Sequence, residues 1–347
     1  MPKAKSQKKK TLNLALQGGG SHGAFTWGVL DALLEDGRLE FEGISATSAG
    51  AMNAAVLAYG KTIGGNEKAR ELLDEFWWRI SQNGAFYRPA YQTSLGRFFG
   101  LDHNPMITLT QSILSTISPY HFNPLNYNPL EEILSDMIDF DKLCADQCTR
   151  LFITATNVRS GTAKVFKNEE VNLNVLLASA CLPHLFQAVE IDGEAYWDGG
   201  YMGNPSLWPL FYHVETNDIL LVHINPIARE QVPKTMEEIE NRLNEITFNT
   251  SLLKELRAID FVKKLIAEDM LKGEHKKRYT NILLHAIRTD DFMSDLDAQS
   301  KYNTEWSFLN DLKEMGRREA QNWLQKHYKD LGKKSSVNIQ DDYLSKL

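Results

Sequence analysis

The segments LNLALQGGGSHGAFTWG at residues 12–28 and ISATSAGAMNA at residues 44–54 decide the fold of this 347-residue chain. Each begins with a short apolar run, passes through a turn of small residues and ends in a run with helical spacing. Two strand–turn–helix units in series are typical of a parallel sheet, because parallel strands need a crossover that is usually a helix. The sequence therefore predicts an α/β fold with helices on both faces of a mostly parallel sheet.

The rest of the chain continues this alternation. Apolar runs predict strands at 12–17, 41–47, 151–157, 219–225 and 282–288. Apolar residues at helical spacing predict helices at 24–35, 49–59, 67–80, 171–181, about 235–272 and about 304–330. We expect residues 12–347 to form a single domain, with an α/β core at 12–225 and a mainly helical part at 226–347.

Residues 82–129 interrupt this alternation with a segment rich in aromatic residues, Pro, Asn and Gly. A segment of this length is uncommon as a simple connection. It is either a lid over a site or a connecting subdomain whose aromatic side chains fill the core, and the sequence leaves both open.

The charge of the chain is distributed unevenly. The net charge is −7, and the five lysines among the first ten residues leave −12 on the remainder. Because the chain after the first ten residues is this acidic, we do not expect nucleic acid as a partner. We expect residues 1–11 to be a flexible basic tail that either stays solvated or makes peripheral contact with anionic membranes.

The sequence also bears on location. No apolar run reaches the eighteen or so residues of a membrane span, and no secretory signal is visible. The three cysteines form no disulfide framework, as is usual in a reducing compartment. We therefore expect a cytoplasmic protein that either stays in the cytosol or associates peripherally with a membrane; the sequence does not specify its oligomeric state.

The first glycine-rich turn predicts an anion-binding loop. Gly18, Gly19 and Gly20 present backbone N–H groups beside the start of a helix, which suits a phosphate or a developing oxyanion. GGGSHG also fits the dinucleotide-binding pattern, but that pattern needs an acidic residue at the end of the second strand. The second strand here runs into Ser48 instead, which favours acyl transfer over NAD binding.

Ser48 is the candidate nucleophile. It lies between small neighbours, Ala46 and Gly50, on a sharp turn from a strand to a helix. A serine in such a turn is most often a helix cap, but an upstream glycine loop one βα unit away favours a nucleophile.

The segment YWDGGYMGNP at residues 196–205 supplies the candidate base, Asp198. Gly199 and Gly200 would let its carboxylate project freely, although Asp-Gly is also a common hairpin turn. None of the nine histidines occupies an obvious base position. His22 lies within the glycine turn, where it either faces solvent or orients the loop and touches a phosphate.

Four motifs in this order make the chain resemble the bacterial type of patatin-like phospholipase. They are the glycine loop at Gly18–Gly23, the elbow at Ala46–Gly50, the segment Ala178–Pro183 and the turn Asp198–Gly200. The sequence departs from the family pattern in two places. Ala46 replaces the first elbow glycine, and His22 stands where Arg or Lys is frequent.

The resemblance implies a three-layer α/β/α sandwich and a serine lipid-acyl hydrolase that uses no cofactor and no metal. It implies a Ser48–Asp198 dyad and an oxyanion hole at Gly18, Gly19 and Gly20. It also implies that the motifs are supported by His22, Gly23, Gly50, Gly199 and Gly200. The substrate would be an acyl ester of a lipid. The alternative is a weakly active or vestigial member that binds a membrane or a partner protein.

Overall fold

The structure, a computed structural model, describes residues 9–83, 118–145, 149–271, 279, 281–288, 290–296 and 298–345. The predicted tail at 1–11 lies mostly outside these residues, as do residues 84–117 of the predicted insertion at 82–129. The described end of the tail is already structured, because the first strand begins at Lys10. The ammonium of Lys10 donates hydrogen bonds to the carbonyls of Tyr328 and Leu331 at 2.9 and 3.0 Å.

A single sheet of eight strands runs through the described part of the chain. The strands are β1 (Lys10–Leu16), β2 (Leu39–Ala46), β3 (Arg150–Asn157), β4 (Ala163–Lys167), β5 (Val189–Ile191), β6 (Glu194–Asp198), β7 (Asp218–His223) and β8 (Leu283–Arg288). The order is β5-β6-β3-β2-β1-β7-β8, with β4 also paired to β3. The five strands from β3 to β8 in this order are parallel, whereas the pairs β3–β4, β3–β6 and β5–β6 are antiparallel. The prediction of a mostly parallel sheet is confirmed.

The helices are α1 (Gly23–Asp36), α2 (Ala49–Asn83), α3 (Pro119–Phe122), α4 (Pro129–Met137), α5 (Phe140–Ala145), α6 (Leu173–Ser179), α7 (Pro209–Tyr212), α8 (Met236–Ala267), α9 (Asp290–Asp295) and α10 (Trp306–His327). Gly65, with φ of 74°, divides α2 into two helical halves. These halves correspond to the predicted helices at 49–59 and 67–80.

Successive residues of the central strands enter two different cores. In β1, Leu14 and Leu16 lie in the core beneath α1, α2 and α10, whereas Ala15 lies in the core beneath α8. This alternation follows from the period of two in a strand, and it shows that both sheet faces are buried. Helices therefore cover both faces of the sheet, as predicted.

The C-terminal part shares these cores with the N-terminal part. Strand β8 extends the sheet beside β7, and α10 packs along α1. A Cβ atom at Gly28 would lie 1.9 Å from the carbonyl oxygen of Lys313, and one at Gly316 would lie 2.1 Å from that of Phe25. The two helices thus approach backbone to backbone, which only glycine permits at these positions.

The described helices also bear on membrane association. None of them combines the length and the apolar character needed to cross a bilayer.

Candidate active site

Ser48 lies on the turn between β2 and α2 in a left-handed conformation, with φ of 54°. Non-glycine residues with such angles are uncommon and cluster at functional sites. The Ser48 amide donates a hydrogen bond to Ser179 Oγ at 2.9 Å, and Ser179 Oγ donates to the carbonyl of Thr154 at 2.7 Å. Ser179 therefore ties the strained turn to β3. Ser48 thus lies on a turn from a strand to a helix, as predicted.

Asp198 is the last residue of β6, where its backbone pairs with Ala155 of β3. The side chain is completely buried. Its Oδ1 accepts a hydrogen bond from the Gly200 amide at 2.7 Å, so the carboxylate caps the short 3-10 turn Gly199–Tyr201. The alternative of an Asp-Gly hairpin is wrong, because this turn leads out of the sheet rather than into a paired strand.

The environment of Asp198 makes its carboxylate unusually basic. Burial raises the pKa of Asp198 to about 7, opposed by hydrogen bonding from the Gly200 amide and the Ser48 hydroxyl. Oδ2 has no partner of full hydrogen-bond geometry among the described residues. The Ser48 hydroxyl therefore lies near the carboxylate in a loose arrangement, as is frequent in sites without substrate.

The three loop glycines differ in their hydrogen bonding. The Gly18 amide donates to Asn204 Oδ1 at 2.6 Å, and the Gly18 carbonyl accepts from Asn225 Nδ2 at 2.7 Å. The amides of Gly19 and Gly20 donate to none of the described residues. Both glycines line the same cavity as Ser48 and Asp198. Gly18 is thus anchored, while the next two amides are free to bind an oxygen.

Hydrogen bonds of the buried Gln17 side chain also fix the position of this loop. Gln17 Oε1 accepts hydrogen bonds from the backbone amides of Ile224 and Asn225 at 2.9 and 3.0 Å. Gln17 Nε2 donates to the carbonyl of Asn204 at 3.1 Å. Because unsatisfied buried polar groups are costly, this network fixes the position of the loop relative to β7.

The glycines of the predicted motifs allow the surrounding segments to pack closely. A Cβ atom would come within 2.6 Å of a neighbouring heavy atom at Gly18, 2.7 Å at Gly23, 2.4 Å at Gly50, 2.1 Å at Gly199 and 2.8 Å at Gly200. Real Cβ atoms essentially never approach a neighbour this closely. Side chains at these positions would therefore push the loop, the elbow and the Asp198 turn apart.

His22 is buried, so the solvent-facing alternative is wrong. Only 2% of the residue is exposed, and Nε2 lies 2.7 Å from Ser300 Oγ. Burial, together with the positive charges of Lys301 and Arg229, lowers the pKa of His22 to about 3. The imidazole is consequently neutral near pH 7 and adds no charge to the glycine loop.

An apolar cavity of about 140 Å³ opens beside Ser48 and Asp198. Its apolar walls include Met52, Phe76, Trp77, Leu130, Phe186 and Phe248. The described parts of the chain contain no group of three or more His, Cys, Asp or Glu side chains arranged to hold a metal. The cavity therefore suits an apolar chain that ends in a reactive polar group.

Sequence reasoning missed three residues that shape this site. Ser179 lies in the Ala178–Pro183 motif, whose pattern does not indicate a role for this serine. Asn204 is distant in sequence from the loop that it holds, and no local signal indicates that contact. Lys301, which lines the cavity, looks in the sequence like an ordinary solvated lysine before a helix.

Comparison with known families identifies the family of this chain. The model of the patatin-like phospholipase family matches residues 14–211. The chain therefore belongs to the patatin-like phospholipase family, a family of lipid hydrolases. Comparison with curated proteins gave no match.

Solved structures include distant similarities. VipD from Legionella pneumophila is 14% identical with a TM-score of 0.40, and the match covers 92% of this chain and 67% of that one. The type III effector protein ExoU is 16% identical with a TM-score of 0.34, covering 92% of this chain and 54% of that one. The chain thus spans about two thirds of VipD and about half of ExoU.

Proposed function

We propose that this protein hydrolyses acyl esters of lipids by attack of Ser48, with Asp198 as the base and no histidine. The observation that carries the proposal is the buried Asp198 carboxylate, which lies near the strained Ser48 at an apolar cavity. Family membership supports lipid hydrolysis in general. The dyad and the ester class are the finer part of the proposal.

The first half of the reaction forms an acyl-enzyme. Ser48 Oγ bonds to the carbonyl carbon while Asp198 takes the hydroxyl proton. The carbonyl oxygen becomes an oxyanion, which the free amides of Gly19 and Gly20 stabilise. Collapse of this intermediate breaks the bond to the alcohol oxygen, and the leaving alcohol takes the proton from Asp198.

The second half releases the fatty acid. A water molecule attacks the acyl carbon and gives its proton to Asp198, and the same two amides stabilise the second oxyanion. Collapse breaks the bond to Ser48 Oγ, and the proton returns from Asp198 to the serine. The raised pKa of Asp198 suits this work, since a general base is most efficient when its pKa lies near the working pH.

Hydrolysis of a lipid ester tests this function directly. Purified protein is incubated with short-chain phospholipids and neutral glycerides, and the released fatty acid is titrated. In parallel, a fluorophosphonate ester should label one serine, which peptide mass spectrometry should place at position 48. Absence of both acid release and labelling would favour the alternative of a vestigial member that binds a membrane or partner.

Asn204→Ala should weaken both the loop and catalysis. It leaves the buried Gly18 amide without its acceptor, which costs about 1–3 kcal/mol of stability. Release of the loop should also displace the amides of Gly19 and Gly20, and loss of one oxyanion donor lowers kcat by about 10²-fold or more. Thermal denaturation and initial rates on a short-chain ester measure the two effects.

The matched control is Asn310→Ala, since among the described residues this half-buried asparagine hydrogen-bonds to the carbonyl of Trp306 in its own helix α10. It should change kcat less than about twofold, as expected for a substitution away from the site. If Asn204→Ala behaves like this control, the role assigned to the buried amide network is incorrect.

A further inference from the structure

Asn53 cross-links the two helices that follow the candidate motifs. Helix α1 begins at Gly23, where the glycine loop ends, and α2 begins at Ala49, directly after Ser48. Asn53 Nδ2 donates hydrogen bonds to the carbonyl of Gly23 at 3.0 Å and to that of Ala49 at 3.1 Å. Asn53 therefore holds the end of the glycine loop against the serine turn.

The amide oxygen of the same side chain binds a wall of the cavity. Trp77 Nε1 donates a hydrogen bond to Asn53 Oδ1 at 3.0 Å, and Trp77 lines the cavity together with Ser48. Trp77 belongs to the second half of α2, beyond the break at Gly65, whereas Asn53 belongs to the first half. One side chain thus joins the glycine loop, the serine turn and the cavity wall.

The burial of Asn53 indicates that these hydrogen bonds serve position rather than packing. The side chain is completely buried, both amide protons are used, and the oxygen accepts a third hydrogen bond. A buried amide is costly unless its hydrogen bonds are made, so an apolar residue would fill the same space more simply. Three directional bonds to three segments instead fix where those segments lie relative to one another.

The segments joined by Asn53 are also in close contact. A Cβ atom at Gly23 would lie 2.7 Å from Cβ of Ala49 and 3.2 Å from ring carbons of Trp77. The Trp77 ring stacks on Trp27 of α1, with ring centroids 6.3 Å apart and an interplanar angle of 13°. Because packed side chains transmit displacements, the position of the Trp77 ring affects the start of α1 and hence the glycine loop.

The glycine loop is thus anchored at both ends by asparagine side chains from other parts of the chain. Asn204 holds Gly18 at the start of the loop, and Asn53 holds Gly23 at its end. Of these two anchors, Asn53 is the one whose described hydrogen bonds include a residue of the apolar wall. The end of the loop can therefore respond to what fills the cavity.

We propose that Asn53 is a positioning residue through which an acyl chain bound against Trp77 aligns the oxyanion amides with Ser48. This inference rests on the proposed function. The acyl chain fixes the indole of Trp77, the indole fixes the amide of Asn53, and that amide fixes the end of the glycine loop. Binding energy from a remote part of the substrate is then realised in the transition state, so a longer chain raises kcat as well as lowering KM.

Trp77→Phe tests the proposal, because it keeps an aromatic ring in the cavity wall and removes the N–H group. The substrates are p-nitrophenyl butanoate and p-nitrophenyl octanoate, which share a leaving group and are kept below their aggregation concentrations. In the wild type we expect a higher kcat for the octanoate. In Trp77→Phe the ratio of kcat for the octanoate to that for the butanoate should fall about fivefold or more, while KM stays lower for the octanoate.

Trp323→Phe is the matched control. Trp323 is a similarly buried tryptophan, but its Nε1 donates to Ser336 Oγ at 3.4 Å and it does not line the cavity. This variant should leave the kcat ratio unchanged, and Asn204→Ala should lower kcat for both esters by the same factor. A wild-type kcat that does not depend on chain length, or an unchanged ratio in Trp77→Phe, would overturn the proposal.

Asn53→Leu determines whether Trp77 acts through Asn53. Leucine fills a similar volume and removes the three hydrogen bonds. If the amide transmits the effect, adding Trp77→Phe to Asn53→Leu should lower the kcat ratio no further. The double variant loses donor and acceptor together, which is tolerated better than the loss of one partner, and thermal denaturation verifies its folding. A further decrease as large as in Trp77→Phe alone would show that Trp77 acts independently and would overturn the role of Asn53.

Hydrogen exchange tests the link without turnover and so separates this inference from the proposed function. Ser48→Ala protein is equilibrated with hexane, which can fill the apolar wall but cannot bond to the oxyanion amides. We expect hexane to slow amide exchange in the peptide that covers residues 18–23, and we expect this protection to be lost when Trp77→Phe is added. If wild-type protein hydrolyses neither ester, the proposed function fails. Equal protection with and without Trp77→Phe, or no protection in either protein, overturns the assignment of Asn53.

Discussion

Ser48→Ala is expected to lower kcat for a short-chain ester by about 10⁴-fold or more, since no acyl-enzyme can form without the hydroxyl. The oxyanion amides and the cavity remain, so substrate binding should change little. Initial rates of fatty acid release measure the loss, and fluorophosphonate labelling should disappear with it.

A second variant, Ser48→Gly, separates the loss of catalysis from any loss of stability. Ser48 has a positive φ, which alanine adopts only with strain, whereas glycine adopts it freely. Ser48→Gly should therefore be as inactive as Ser48→Ala but closer to wild type in thermal stability. Ser135→Ala, on the exposed side of α4, is the control for labelling and should keep full activity. Substantial hydrolysis by the glycine variant would show that another residue attacks the ester.

Asp198→Asn is expected to lower kcat by about 10³-fold or more, because the amide cannot accept the proton of Ser48. The substitution preserves shape, and the asparagine oxygen can still accept the hydrogen bond from the Gly200 amide. Circular dichroism should show an unchanged fold. Turnover within about tenfold of wild type would contradict the assignment of Asp198 as the base.

The pH profile follows from the same residue. Asp198 must be ionised to act as a base, so kcat/KM on a neutral ester should rise with pH and reach half of its maximum near pH 7. The nearby thiol of Cys181 does not account for this rise, because burial raises its pKa to about 12. In Asp198→Asn the residual activity should lose the rising limb. A wild-type profile that is flat between pH 5 and about pH 8 would be inconsistent with this base.

Stability should respond in the opposite direction. The pKa of Asp198 is about 7 in the folded protein against an ordinary value of 3.8, so folding favours the protonated form. Between about pH 4 and pH 7 the folded state binds more protons than the unfolded state, and the contribution of this group to stability falls as the pH rises. The melting temperature of Asp198→Asn relative to wild type should therefore be higher at pH 8 than at pH 5. A constant difference would indicate a carboxylate with an ordinary pKa.

Local patterns predicted the central part of the fold well. The runs before and after the turns at Gly18 and Ser48 indicate β1, α1, β2 and the first half of α2 to within a few residues, because apolar periodicity is a local signal. The predicted strand at 282–288 is β8, and the predicted helices at about 235–272 and 304–330 are α8 and α10. Strands β4, β5 and β6 were not predicted, since they are only five, three and five residues long.

The sequence predicts the candidate site residues but not the hydrogen bonds that hold them. Ser48 and Asp198 stand out through their small neighbours, and their catalytic roles stay a prediction. From the sequence, the amides of Gly18, Gly19 and Gly20 are equivalent hydrogen-bond donors. In the structure, the Gly18 amide already donates to Asn204 Oδ1. Such distinctions depend on contacts between residues far apart in the chain, and a local pattern does not contain them.

The close approach of α1 and α10 at Gly28 and Gly316 limits how the molecule can vary. It joins the helix that follows the glycine loop to a helix far along the chain, so the position of each helix depends on the other. A larger residue at either glycine would force the two backbones apart and displace α1, at whose start the glycine loop ends. Evolutionary variation at these two positions should therefore be strongly restricted.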